Sequence, residues 1–156
     1  MTEQKLPLRT GVGIVVLNKQ NEIFVGKRKD NPGDKWQMPQ GGVDEGEDYV
    51  TAMKRELLEE TGIKNIEIIK EINKIYHYEL PDNLVGIIWK GKYRGQKQKW
   101  FITRFLGEEK EINLNTKHPE FIDWKWIEPK LLPEVIVNFK KDLYLNLLKE
   151  INLVIG

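Results

Sequence analysis

Cysteine is absent from this chain of 156 residues. Its absence excludes disulfides, catalysis by a thiolate and zinc sites built on cysteine. An excess of positive charge is also missing, because 25 Lys and Arg residues face 24 Asp and Glu residues. Without a broad basic surface the chain is not expected to bind a DNA duplex, so any contact with nucleic acid should be local, such as one end of a strand.

Long apolar runs are missing too. No run approaches the length of a membrane span, and the first ten residues lack the apolar centre of a secretory signal. We therefore expect no membrane partner and, by default, a cytoplasmic location. The length favours one domain over residues 1–156 with one sizeable core, and we expect a monomer.

Hydrophobic patterning predicts an α/β fold with a mixed sheet between helices. The first helix should span 47–61 and end at Gly62, and a second, amphipathic helix should follow Pro133. Long loops are predicted at 79–96 and 107–120, and such loops often line a site. The predicted strands are 11–17, 23–28, 66–78, 97–106 and 121–127, and the apolar stripe of the second helix is Ile136, Phe139, Leu143, Leu147 and Ile151.

The segment 41–63, GGVDEGEDYVTAMKRELLEETGI, carries the functional signal. On a helix, Glu56, Glu59 and Glu60 stand at i, i+3 and i+4, so three carboxylates share one face. Like charges at this spacing repel each other. A hard divalent cation such as Mg²⁺ removes that repulsion, because it prefers oxygen ligands and is often held by carboxylates together with substrate phosphates. The face is typical of half of a metal–phosphate site.

The same segment matches the spacing G-x5-E-x7-R-E-U-x-E-E-x-G-U, in which U is aliphatic. Chance alone would match all nine positions in a chain of this length about once in ten million cases, so a merely acidic surface helix is a poor explanation. This pattern is the Nudix box, and the chain resembles a Nudix hydrolase. The matching residues are Gly41, Glu47, Arg55, Glu56, Leu57, Glu59, Glu60, Gly62 and Ile63.

The resemblance implies a Nudix-type α/β/α sandwich with a mixed sheet, in which the box forms a loop–helix–loop. It also implies two to three divalent cations in the site with substrate, Mg²⁺ or alternatively Mn²⁺ or Zn²⁺. We assign Glu56, Glu59 and Glu60 as metal ligands, joined by the backbone of Gly41. Arg55 is expected off the carboxylate face, in an ion pair with Glu47 that fixes the box and so supports catalysis.

Sequence outside the box is similar to the branch that contains RNA pyrophosphohydrolases and dinucleoside polyphosphate hydrolases. The similar blocks are WQMPQGG (36–42), GQKQKWF (95–101), PEFIDWKW (119–126) and VNFKKDLY (137–144). One departure is Lys35, where a small polar residue was expected. The branch implies that Glu120 is a further metal-binding or base glutamate, although an ordinary loop carboxylate is the alternative.

The same branch implies a set of substrate contacts. Tyr78 is a candidate for stacking on a base, and Val137 with Phe139 matches a base pocket. The alternative for Arg9, Arg28 and Lys140 is that they are solvated surface charges. The alternative for Phe139 is that it packs in the core as part of the apolar stripe of its helix. The candidate substrate-binding residues are Arg9, Arg28, Tyr78, Gln96, Val137, Phe139 and Lys140.

The activity implied is removal of pyrophosphate, or of successive phosphates, from the 5′-triphosphate end of RNA, which leaves a 5′-monophosphate and promotes RNA decay. Asymmetric cleavage of diadenosine tetraphosphate to ATP and AMP is an alternative within the same class. A binding module of the same fold without turnover is the alternative of another class. The complete set of box carboxylates argues against that module.

Overall fold

One mixed sheet of six strands forms the centre of the computed structural model, which describes residues 6–30, 33–117 and 119–156. The order is β4-β5-β1-β2-β6, and β3 pairs with β1 beside this path. Only β1 and β5 are parallel neighbours among these pairs. The strands are β1 (Leu8–Leu17), β2 (Ile23–Arg28), β3 (Gln40–Gly42), β4 (Ile66–Glu79), β5 (Gly95–Phe105) and β6 (Phe121–Ile127).

In the described part of the chain, three α-helices accompany the sheet: α1 (Tyr49–Thr61), α2 (Leu132–Val135) and α3 (Lys141–Ile155). Local signals set the ends of α1. The Asp48 carboxylate accepts a hydrogen bond from the Thr51 amide at 2.7 Å, which caps the start of the helix. Gly62 ends it in the left-handed conformation at φ 75°. The predicted helix of 47–61 is therefore confirmed to within two residues.

The helices cover both faces of the sheet. On one face, Met53 and Leu57 of α1 pack in a cluster with Ile14 and Phe101. On the other face, α3 packs on a second cluster, with Leu147 and Ile151 among residues that include Trp100, Ile102 and Tyr76. This arrangement confirms the predicted α/β sandwich with a mixed sheet. Among the described residues, no helix combines the length and the apolar character needed to cross a lipid bilayer.

The structure corrects the predicted C-terminal helix. Pro133 lies in the short helix α2, the chain becomes extended at Ile136 (ψ 152°), and α3 begins only at Lys141. Phe139 falls in a 3₁₀ turn between the two helices, so it is not part of the α3 core stripe. Two smaller differences are that β1 starts at Leu8, ahead of the predicted residue 11, and that β3 was not predicted.

Tyr144 ties α3 to the segment that precedes the acidic helix. Its side chain is fully buried against Trp100, with ring centroids 6.3 Å apart. Its hydroxyl oxygen accepts a hydrogen bond from the backbone amide of Met38 at 2.8 Å. Burial raises the pKa of Tyr144, so the hydroxyl stays protonated. The contact positions the chain that leads into β3 and α1.

Removing this hydroxyl should cost stability. In Tyr144→Phe the Met38 amide stays buried without an acceptor, and we expect the free energy of unfolding to fall by about 1–3 kcal/mol. Urea titration measures the change. Tyr93→Phe, at a half-buried loop position, is the matched control and should leave stability within about 0.5 kcal/mol. Equal stability of the two variants would show that the Tyr144 contact contributes nothing.

Candidate active site

The sheet topology brings several chain segments to one edge. Strands β1 and β5 start at this edge, while β2 and β4 run antiparallel to them and end there. A cleft of about 720 Å³ opens at that edge. It is lined by ten of the residues that the sequence marked as site candidates: Arg9, Arg28, Gly41, Glu56, Tyr78, Gln96, Glu120, Val137, Phe139 and Lys140.

Arg55 holds the acidic helix to the loop before it. Its Nε and Nη2 atoms donate to the two carboxylate oxygens of Glu47, both at 2.8 Å. Nη2 also donates to the Gly42 carbonyl oxygen at 2.9 Å. The hydrogen bonds from Arg55 lower the pKa of Glu47 to about 2. The expected ion pair between Arg55 and Glu47 is present, and it fixes the loop relative to α1.

The position expected for Arg55 was wrong in one respect, because the side chain is not separated from the carboxylate face. Its Nη1 atom donates to Glu56 at 2.9 Å and lies 3.3 Å from a Glu59 carboxylate oxygen. The guanidinium therefore neutralises part of the repulsion that the helical spacing creates. The Glu59 side chain is half exposed and does not line the cleft.

Glu60 is the unusual residue of the site. It is only 2% exposed, and neither carboxylate oxygen has a hydrogen-bond partner among the described residues. Burial, followed by the charges of Glu120 and Glu56, raises the pKa of Glu60 well above its usual range. A buried carboxylate without a partner is costly, because it has lost its hydration without compensation.

A hard cation fits this environment. The available donors are carboxylate oxygens, which Mg²⁺ and related ions prefer, and the Glu60 carboxylate needs a positive partner. Gly41 lies against the carboxyl group of Glu56, since a Cβ atom at Gly41 would overlap that group. Among the residues that the structure describes, no three acidic or histidine side chains already converge as a finished metal cluster. The fit rests on the unpartnered carboxylate of Glu60.

Glu120 and Arg28 form one side of the cleft. The Lys29 amide donates to the Glu120 carbonyl oxygen at 2.9 Å, which fixes the segment before β6 to the end of β2. Arg28 makes a two-pronged ion pair with Asp30, with both N–O distances at 2.7 Å. The charge of Glu120 contributes to the raised pKa of both Glu56 and Glu60, so these carboxylates act on one another.

Aromatic rings and a buried amine form the opposite side. The ring centroids of Tyr78 and Phe139 are 5.9 Å apart, and the Lys140 ammonium lies 5.0 Å from the Tyr78 ring centroid. Lys140 is 5% exposed, and its nearest hydrogen-bond acceptor is the Gln37 side chain at 3.5 Å. Burial, followed by the positive charge of Arg28, lowers the pKa of Lys140 to about 7.

Several cleft residues were missed by the sequence reasoning. Arg9 lies 5.5 Å from the ring centroid of Trp89, a residue in the left-handed conformation with φ 54°. Trp89 and four of the other missed lining residues belong to the predicted loop 79–96, and the length of that loop was the only feature of the sequence that indicated a role in the site. Lys35, the departure from the family pattern, is exposed and does not line the cleft. The missed lining residues are Asp30, Gln37, Gln40, Leu80, Leu84, Ile87, Ile88 and Trp89.

Comparison with known proteins assigns the family. A family model described as NUDIX domain matches residues 7–147. The chain belongs to the Nudix family. A Nudix relative from Pelagibacter ubique, named RNA pyrophosphohydrolase, is 65% identical over 89% of this chain and 88% of its own length. A protein of the same name from Sphingopyxis alaskensis is 47% identical over 94% of each chain.

Solved structures of Nudix enzymes share the fold. The E. coli dihydroneopterin triphosphate pyrophosphohydrolase superposes with a TM-score of 0.68 at 18% identity, covering 92% of this chain and 97% of the other. A C. elegans Ap4A hydrolase superposes with a TM-score of 0.64 at 22% identity, covering 88% and 94%. At these identities the likeness concerns the fold alone, and it agrees with the sandwich described above.

The unpartnered carboxylate of Glu60 predicts how stability depends on pH. Because its pKa is raised in the folded protein, the folded state binds more protons than the unfolded state above pH 4.5 or so. Without metal, stability should therefore fall as the pH rises through the pKa of Glu60 in the folded state. In Glu60→Gln this part of the decline should disappear, so at pH 8 the variant should be more stable than the wild type by at least about 1 kcal/mol.

Urea unfolding in EDTA at pH 5 and pH 8 measures this difference. Glu67→Gln, at an exposed position on β4, is the control and should follow the wild type. Adding Mg²⁺ should stabilise the wild type and leave Glu60→Gln nearly unchanged, because the ion binds the folded state through this carboxylate. Parallel pH curves for wild type and Glu60→Gln would contradict the proposed burial of a charge.

Proposed function

We propose that this Nudix enzyme is an RNA pyrophosphohydrolase, which converts 5′-triphosphorylated RNA to 5′-monophosphorylated RNA and pyrophosphate and so promotes RNA decay. The observation that carries the proposal is the composition of a single cleft. One side holds Glu56 and Glu120 with the unpartnered Glu60 nearby, and the other holds Phe139, Lys140 and Tyr78. The names of the relatives described above support the same activity.

The chemistry follows from the substrate. A triphosphate is densely anionic and repels a nucleophile, so catalysis depends on positioning and on neutralisation of charge. Divalent cations supply that neutralisation when bound and lower the pKa of a coordinated water. Water then attacks phosphorus and gives up a proton, for which Glu120 is the proposed acceptor. The phosphoanhydride bond to the leaving group breaks, and the leaving phosphate oxygen keeps the electron pair.

The residues of the chain divide this work. Glu56, Glu60 and Glu120 are the proposed metal ligands, with the Gly41 backbone beside them, and Glu120 is also the candidate for orienting the water. Glu59 stays a predicted ligand from the box pattern, on a side chain that is half exposed beside Arg55. We propose Mg²⁺ as the main cation, with Mn²⁺ or Zn²⁺ as alternatives and two to three ions in the site with substrate.

The cationic and aromatic groups of the cleft suit one end of an RNA chain. Arg9 and Arg28 are proposed to contact phosphates, while Val137, Phe139 and Tyr78 flank a base. Lys140 is proposed to contact a base or a phosphate, and an anion there would restore its charge. The near-neutral chain offers no broad field for a DNA duplex or a membrane surface. We propose a monomer of one domain that acts in the cytoplasm.

Asymmetric hydrolysis of diadenosine tetraphosphate is the second candidate. The observation that favours it is the apolar wall of Leu84, Ile88 and Trp89, which faces the cleft and offers space for another nucleoside. A binding module without turnover is the weaker alternative, because such a module has no need for a buried, costly Glu60. One assay decides among the three: hydrolysis of triphosphorylated RNA and of diadenosine tetraphosphate, measured side by side by product release.

The proposed ligands predict large losses of activity. Glu56→Gln and Glu60→Gln keep the size of the side chain and remove its charge, so kcat/KM should fall at least about a hundredfold under saturating Mg²⁺. Glu67→Gln on β4 should remain fully active. Melting curves must show that the variants are folded. Undiminished turnover in either site variant would remove these carboxylates from the mechanism.

Recognition should be confined to the 5′ end of the RNA. We expect similar kcat/KM on triphosphorylated RNAs of two and twenty nucleotides, because the chain has no extended basic surface. Stacking on an aromatic ring is worth about 1–3 kcal/mol per base, so Phe139→Ala should weaken RNA binding at least several-fold. Phe139 also packs against the core cluster that contains Tyr78, so a melting curve must first show that the variant is folded. A strong gain with RNA length would overturn the end-only interpretation.

A further inference from the structure

Three buried hydrogen-bonding side chains share one face of β5. Gln96, Gln98 and Trp100 alternate along the strand, so all three point to the same side of the sheet. Their exposures are 1%, 1% and 0%. Buried amides are costly unless they are hydrogen-bonded, so the partners of these groups decide how they are oriented.

The three side chains form a connected network that reaches the cleft. The Trp100 indole N–H donates to the side-chain carbonyl oxygen of Gln98 at 3.0 Å. The side-chain amino group of Gln98 donates to two side-chain carbonyl oxygens, that of Gln96 at 2.9 Å and that of Gln40 at 3.1 Å. The Gln40 amino group then lies 3.3 Å from the Tyr78 hydroxyl oxygen, which accepts. Gln40, Gln96 and Tyr78 all line the cleft.

The indole of Trp100 determines the direction of every bond in this network. An indole N–H can only donate, whereas a glutamine side chain can donate from one end and accept at the other. Trp100 therefore requires the carbonyl end of Gln98, which turns the amino end of Gln98 toward Gln96 and Gln40. Gln96 and Gln40 must in turn present their carbonyl ends to Gln98. A reversed Gln98 would place an amino group against the indole N–H.

The direction of the network leaves two donors at the cleft. The side-chain carbonyl oxygen of Gln96 accepts from Gln98, so only the amino group of Gln96 is left to bind a ligand. Within residues 6–30, 33–117 and 119–156 this amino group donates no hydrogen bond, and Gln96 lines the cleft. The Tyr78 hydroxyl accepts from Gln40, so its own proton is also available. Burial raises the pKa of Tyr78 to about 12, which keeps that proton in place at neutral pH.

Two glycines of β1 make room for the network. A Cβ atom at Gly13 would overlap the Trp100 indole ring, and one at Gly11 would lie 2.5 Å from the Gln96 carbonyl oxygen. The two strands are parallel neighbours, with Gly11 opposite Gln98 and Gly13 opposite Trp100. The sequence Gly11-Val12-Gly13 is thus explained by the space that these side chains occupy.

We propose that Trp100 and Gln98 are positioning residues that orient Gln96 and Tyr78 as hydrogen-bond donors to an oxygen atom of the substrate. Neither positioning residue needs to touch the substrate itself. The acceptor is a phosphoryl oxygen or a nucleobase carbonyl oxygen, and naming these two sources rests on the proposed function. The orientation of the amides rests on the hydrogen bonds alone.

A pair of matched substitutions tests the proposal by kinetics. Trp100→Phe removes the indole N–H that orients Gln98, whereas Trp126→Phe removes an indole N–H that is bonded to Glu109 at 2.8 Å and does not line the cleft. On triphosphorylated RNA we expect Trp100→Phe to raise KM roughly tenfold, with kcat within about threefold of the wild type. Trp126→Phe should leave both constants unchanged. Equal KM values for the two variants would overturn the proposal.

A second variant removes Gln98 together with the indole that orients it. Trp100→Phe combined with Gln98→Met removes both partners of the hydrogen bond between the indole and the amide, but it leaves the side-chain carbonyl oxygens of Gln96 and Gln40 without the Gln98 donor, so some loss of stability is expected. It also removes the donor that orients Gln96, so the same rise in KM is expected. Melting curves accompany the kinetics. A folded double variant with the KM of the wild type would refute the orienting role.

An NMR measurement separates orientation from packing and needs no turnover. The side-chain amide signals of Gln96 are followed during addition of inorganic tripolyphosphate with Mg²⁺, and separately of guanosine. A shift with tripolyphosphate identifies a phosphoryl acceptor, and a shift with guanosine alone identifies the base carbonyl. In Trp100→Phe, but not in Trp126→Phe, the Gln96 signals of the free protein should move and the response to ligand should shrink.

The outcomes distinguish this proposal from the proposed function. If the wild type does not hydrolyse triphosphorylated RNA, the proposed function fails, while the amide signals of free wild type and variants still test the orientation. If the wild type hydrolyses that RNA but the Gln96 signals are the same in wild type and Trp100→Phe, the orientation is refuted and the function stands. Absence of any response of Gln96 to both ligands would also overturn the proposal.

Discussion

The guanidinium of Arg55 is the interaction on which the site depends. A planar group with donors in fixed directions can bridge several acceptors without adjustment, and here it joins the Glu47 carboxylate, the Gly42 carbonyl and Glu56. The loop before α1 is thereby held at one distance from the helix. Gly41 can then lie against Glu56 only because it has no side chain. A lysine in place of Arg55 offers one compact charge and cannot hold all of these partners.

Two buried ionisable groups of opposite sign lie at the cleft: Lys140 lines it, and Glu60 lies beside it. Within the described part of the chain no ion pair joins them, and burial opposes the charged form of both. Each would be stabilised by a different part of one ligand: the carboxylate by a cation, the ammonium by an anion. A metal-bound polyphosphate carries both charges. The two buried groups destabilise the free enzyme, and binding of such a ligand would stabilise the folded state at both places.

Sequence reasoning succeeded where the determinants are local and failed where they are tertiary. The ends of α1 were predictable because Asp48 and Gly62 act within one turn. The burial of Glu60 was not, since helical spacing treats it like Glu59, and only the packing against the sheet separates them. The position of Phe139 was misjudged because the apolar spacing continues across a segment where the backbone leaves the helix. Strand β3 is three residues long and contains two glycines, so it carries no alternating pattern.

The parallel pairing of β1 with β5 has a consequence for how the protein forms. Leu8 pairs with Gly95, so β1 obtains its parallel neighbour only after the chain has been made as far as β5. Until then β1 has its neighbour β2 on one side and an open edge on the other, a state prone to pairing with other strands. Contacts at such separation close slowly, because loop entropy is lost before the contacts form. On the ribosome, neither the complete sheet nor the cleft can form before β5 has been made.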